Sequence, residues 1–106
     1  MLDIKTFITI FNQIPRDAEF EFHFVCIEDS YMVSKYNDHV EICRCGYEND
    51  IPIYKYPTIE ELIEHAKIGG KTLKEMWLDI EDIHFDDTLS FKYELDCILS
   101  DFNIRL

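Results

Sequence analysis

A chain of 106 residues, 47% hydrophobic and 14% aromatic, is large enough for one core and too apolar for the low-hydrophobicity route to disorder, so residues 1–106 are expected to form a single domain. Twenty-two Asp and Glu against ten Lys and Arg leave a formal charge of -12, a field that repels DNA, RNA and anionic lipid and attracts basic protein surfaces. The opening residues carry no basic, apolar leader pattern and no run approaches the roughly 20 apolar residues of a membrane span. The expectation is a cytoplasmic protein, with Cys26, Cys43, Cys45 and Cys97 as reduced thiols rather than a disulfide framework.

From Leu2 to Ile14 the apolar residues Ile4, Phe7, Ile8, Ile10, Phe11 and Ile14 fall mostly three and four apart, which predicts an amphipathic helix that Pro15 ends. Between Ala18 and Ile27 the pattern becomes alternation, with Phe20, Phe22, Phe24 and Cys26 on one face and Glu19, Glu21, His23 and Val25 on the other. Asp29-Ser30 and Asn37-Asp38 are turn pairs, so Tyr31 to Tyr36 and His39 to Cys45 are read as two further strands of a meander. A fourth strand over Ile51 to Tyr56 would lie at an edge, because Pro52 has no amide hydrogen to donate.

Thr58 with Glu61, and Thr72 with Glu75, are capping-box pairs that predict two helices. Ile59, Leu62, Ile63 and Ala66 would be the buried stripe of the first, and Leu73, Met76, Trp77, Ile80 and Ile83 that of the second. Alternation over Leu89, Phe91, Tyr93, Leu95 and Cys97 predicts a last strand. The expected fold is α+β, an antiparallel β-meander sheet with helices packed on one face, in the order α-β-β-β-(β)-α-α-β.

No glycine-framed nucleophile accompanies His23, His39, His65 or His84, and neither a GxxxxGK[ST] nor a GxGxxG loop occurs, so the reading is a non-enzyme without a cofactor. His39, Cys43 and Cys45 share one face of a strand and are candidate metal ligands, although zinc knuckles ordinarily use a tighter CxxC pair. Paired carboxylates at Glu28-Asp29, Glu60-Glu61, Glu81-Asp82 and Asp86-Asp87 fall where solvation is expected, not at catalytic spacing in a core.

The segment from Glu75 to Asp87 holds Glu75, Asp79, Glu81, Asp82, Asp86 and Asp87 and no Lys or Arg. With Glu60, Glu61 and Glu64 these residues are expected to form an acidic, largely helical face, and carboxylates so arrayed can stand where DNA phosphates stand in a basic groove.

Two stretches carry a resemblance. Lys5-Thr6-Phe7 onward to Ile14-Pro15-Arg16-Asp17-Ala18-Glu19-Phe20, a helix turning into a strand, and Thr58 to Ile80, with the stretch from Glu61 through Gly69-Gly70 to Trp77 as a helix-Gly-helix segment, resemble segments of small acidic proteins of bacterial phages and other mobile elements. The resemblance covers under half the chain, carries no functional residue across, and implies a setting in which acidic inhibitors, anti-CRISPR proteins among them, act as DNA mimics. The partner expected is a basic protein, a nuclease or other nucleic-acid-binding protein, with no direct nucleic-acid or membrane contact. An immunity protein that neutralises a basic toxin is the alternative, and Tyr31, Tyr36, Tyr54 and Tyr56 are candidates for a homodimer patch.

Overall fold

The computed structural model describes residues 2–45, 54–86 and 89–106. Helix α1 spans Ile4–Gln13, with the Asp3 carboxylate accepting from the Thr6 amide at 2.7 Å as its N-cap. Strands β1 (Glu19–Phe24), β2 (Tyr31–Lys35), β3 (Val40–Arg44) and β4 (Tyr54–Tyr56) follow as an antiparallel meander. The expected strand at Ile51 to Tyr56 is seen in its last three residues; Ile51, Pro52 and Ile53 lie outside the described residues.

Helix α2 (Ile59–His65) starts where the capping box places it, the Thr58 hydroxyl accepting from the Glu61 amide at 3.2 Å. A two-stranded hairpin, β5 (Lys67–Ile68) and β6 (Lys71–Thr72), turns through Gly69 and Gly70, whose φ of 58° and 88° suit residues without a Cβ. A 3-10 turn at Trp77–Asp79 leads into β7 (Ile80–Phe85), then β8 (Leu89–Ser90) and helix α3 (Leu95–Asp101). The large sheet has six strands in the order β4-β3-β2-β1-β7-β8, every neighbouring pair antiparallel. The α+β class with an antiparallel sheet therefore holds.

Two expected elements are corrected. No helix runs from Thr72 to Ile83: the Thr72–Glu75 box forms, with the Glu75 carboxylate accepting from the Thr72 amide at 2.9 Å, yet it opens a series of turns. The residues after it become β7, beside β1 in the middle of the sheet. The misreading has a physical source. Register shifts between His23 and Phe24, so that Phe22 faces Ile83 while Phe24 faces Ile80. A bulge puts an extra residue into a strand, and it spaces the inward Ile80 and Ile83 three apart, which imitates a helical stripe.

Nor does a strand run from Leu89 to Cys97. β8 ends at Ser90, and Leu95, Ile98, Leu99 and Phe102 form the inward side of α3, at helical spacing, while Tyr93 is 77% exposed and Cys97 is exposed. Cys26, expected on the inner face of β1, is likewise exposed beyond its end.

One cluster of buried side chains unites these elements. Phe7 of α1 is at its centre, 5.4 to 6.0 Å by ring centroid from Phe11, Phe22, Phe20, Trp77 and Phe91. The rings meet in tilted and edge-to-face geometries, which favour aromatic pairs beyond the area they bury. α1 is tied to the sheet by Lys35, whose ammonium donates to the Phe11 and Ile14 carbonyls at 2.7 and 2.6 Å where the helix exposes its last acceptors. All of this lies on one side of the sheet. Alternation leaves the other side to Glu19, Glu21, His23, Met32, Ser34, Glu41, Cys43, Asp82 and His84.

Candidate functional site: the open sheet face and the dispersed carboxylates

Strand β1 contributes Glu21 and His23 to the open face, two residues apart and therefore on the same side. β7 lies antiparallel beside it, with His84 opposite Glu21 and Asp82 opposite His23. The four polar side chains form a block in the middle of the sheet. Glu21 Oε1 is 3.0 Å from His23 Nε2, and Glu21 Oε2 accepts from the Cys45 thiol at 3.9 Å. The two imidazoles meet edge to face, 4.7 Å apart by centroid.

Asp82 is the anchor of this block. Its Oδ1 accepts from the amides of Ile83 at 2.7 Å and Lys92 at 3.0 Å, and its Oδ2 accepts from the Ser90 hydroxyl and lies 3.2 Å from His84 Nε2. Burial pushes the carboxyl upward, but the hydrogen bonds from Ser90, Lys92 and Ile83, with the nearby His84, outweigh it and hold the pKa below the usual carboxylate value. The Ser90 hydroxyl in turn accepts from the Tyr93 amide, and Glu94 accepts from the Ser90 amide, so Asp82 fixes the turn that leads into α3.

The nine acidic residues expected on one face are spread over several elements. Glu60, Glu61 and Glu64 are exposed on α2, Glu75 is exposed in the turn after β6, and Asp79 is half-buried in the 3-10 turn. Glu81 is exposed on β7, whereas Asp82 is only 8% exposed and engaged as described. Asp86 is exposed at φ 49° and accepts from the Glu19 amide at 3.0 Å; Asp87 lies outside the described residues. The array is acidic but not one helical face, and around Glu64 and Glu75 it is interleaved with Lys67, Lys71 and Lys74, the last within 3.2 Å of Glu64.

His39, Cys43 and Cys45 do share a face of the β3 region, yet they do not converge. Both ring nitrogens of His39 are taken by carboxylates, Nδ1 by Asp38 at 2.6 Å and Nε2 by Glu41 at 2.9 Å, and the ring stacks on Tyr36. The hydrogen bond to Asp38, followed by that to Glu41, raises the His39 pKa above the ordinary imidazole value. Among the described residues the metal-ligating side chains whose donor atoms converge are Glu21, His23 and His84. The alternation of β1 places Glu21 and His23 on one face of a strand, but the three-residue spacing of Ile80 and Ile83 predicts a helix there, and so nothing local places His84 beside them. The tyrosine patch divides as well: Tyr36 and Tyr54 are exposed, while Tyr31 and Tyr56 pack against the core.

No protein-family model, curated protein or solved structure matches this chain. Among the described residues no helix is long and apolar enough to cross a membrane.

Proposed function

We propose that this chain is a non-catalytic acidic binding protein that docks on the basic surface of a nuclease or other nucleic-acid-binding protein and inhibits it by occupying the site of the nucleic acid. The observation that carries the reading is the charge of -12 together with the exposure of Glu60, Glu61, Glu64, Glu75, Glu81 and Asp86. A field of that sign raises the encounter rate with basic surfaces and opposes contact with nucleic acid. The mobile-element setting rests on the sequence resemblance alone. Asp82 has no place in the docking surface, since its oxygens are committed within the fold.

The test is capture by the tagged chain from nuclease-treated bacterial lysate across a salt gradient, beside a variant carrying Glu60→Lys, Glu61→Lys and Glu81→Lys. The expected result is retention of nucleic-acid-binding proteins that falls steeply with salt, is competed by added DNA, and is lost in the variant. Retention that ignores salt, DNA and the triple reversal overturns the proposal. Tight retention of one basic protein that DNA does not compete favours the immunity-protein alternative instead.

A further inference from the structure

The block on the open sheet face has a chemistry that docking by charge does not use. One donor atom from each of Glu21, His23 and His84 lies within 4.8 Å of the others. Ligands about 2.0–2.1 Å from a tetrahedral zinc stand about 3.3 Å from each other, so small rotations of half-buried side chains close the set. Glu21 Oε1 and His23 Nε2, 3.0 Å apart, already have that spacing. Glu21 and His23 on β1 and His84 on β7 are presented by adjacent antiparallel strands in the middle of the sheet, so the backbone that carries them is fixed on each side.

The surroundings of His23 point the same way. His23 Nε2 is buried, and its contact with Glu21 Oε1 at 3.0 Å is not in hydrogen-bond geometry. Buried polar atoms in folded proteins are nearly always paired, and one that is not calls for an explanation such as an ion. The surroundings fit a cation. Asp82 lies against the His84 imidazole at 3.2 Å and is itself held by Ser90 and two backbone amides, the arrangement by which a carboxylate orients a ligating histidine. His23, Asp82 and His84 also line a cavity of about 230 Å³ completed by Glu81, Lys92 and Tyr93, which leaves room for a further ligand.

We propose that Glu21, His23 and His84 form a three-ligand site for a divalent cation of the zinc class, with an open coordination position facing the cavity beside Lys92 and Tyr93. Two imidazoles and one carboxylate suit zinc and its neighbours in the first transition row. Magnesium and calcium prefer all-oxygen sets, which this block does not supply. The site is independent of docking on a basic partner.

Zn²⁺ alone, titrated by calorimetry into the chelator-stripped full chain, is expected to bind at one ion per chain. His23→Gln and His84→Gln are each expected to weaken binding by about 10-fold or more, whereas Cys43→Ser leaves it unchanged. These side chains lie on the open face, and unchanged circular dichroism and urea midpoints of the metal-free variants establish that loss of binding is not loss of fold. Co²⁺ in place of Zn²⁺ should give visible d–d bands without a thiolate charge-transfer band. Absence of saturable Zn²⁺ binding, binding indifferent to both histidine variants, or a thiolate band that Cys43→Ser or Cys45→Ser abolishes overturns the proposal.

Discussion

Replacing Asp82 by alanine tests whether this carboxylate is a structural tie rather than a surface charge. The substitution removes the acceptor of the Ser90 hydroxyl and of the Ile83 and Lys92 amides, and so unfastens β7 from the turn that leads into α3. A hydrogen bond to a charged group contributes about 1.5–3 kcal/mol, and a buried donor left unpaired costs about 1–3 kcal/mol. The three bonds share one carboxylate and do not add, and water reaches the exposed Lys92 more easily than the buried Ser90. A loss of about 2–4 kcal/mol is therefore expected, against about 5–15 kcal/mol for a domain of this kind. The assay is urea denaturation with a chelator present, in which an m of about 1.5 kcal/mol/M makes a loss of about 3 kcal/mol a midpoint shift of about 2 M. Asp82→Asn, which keeps one acceptor oxygen, should fall between the wild type and Asp82→Ala. An Asp82→Ala loss under about 0.5 kcal/mol, the range of ordinary surface substitutions, would refute the reasoning and return Asp82 to the solvated acidic surface.

Phe7→Ala empties the centre of the aromatic cluster, where the ring touches Phe11, Phe20, Phe22, Trp77 and Phe91, and should destabilise the chain by about 3–5 kcal/mol in the same denaturation assay. The pH dependence turns on His39, whose pKa is raised in the folded state by Asp38 and Glu41. Its stabilisation is fully present below the unfolded value of about 6.5 and is lost as pH rises through the higher folded value. The stability difference between wild type and His39→Ala should therefore shrink as pH rises from weakly acid to weakly alkaline; a difference that stays constant or grows would show that the His39 ion pairs do not act.

The amino-acid sequence by itself determines the local elements whose instructions are complete within a few residues. The three-and-four spacing of Phe7, Ile10, Phe11 and Ile14 makes α1, and alternation of Phe20, Phe22 and Phe24 makes β1. Turn pairs at Asp29-Ser30 and Asn37-Asp38 separate the meander strands, and the Thr58 cap starts α2. Both faces of β1 follow as well, hence the neighbourhood of Glu21 and His23. The total charge needs no structure at all.

Only the tertiary structure decided what the second half of the chain does. Ile80, Ile83 and Phe85 pair with β1, which lies at the end of the β1–β4 meander and would otherwise leave its backbone amides and carbonyls unpaired along that edge. The bulge at His23/Phe24 then converts a strand into a pattern that reads locally as a helix. Leu95, Ile98 and Leu99 likewise become α3 because the turn held by Asp82 and Ser90 reverses the chain over the core. The candidate site inherits this division. Glu21 and His23 are neighbours by the two-residue period of one strand, but His84 and Asp82 join them through a pairing across about 60 positions, which strand-to-strand hydrogen bonding and burial of Ile83 and Phe85 select and which no local periodicity encodes.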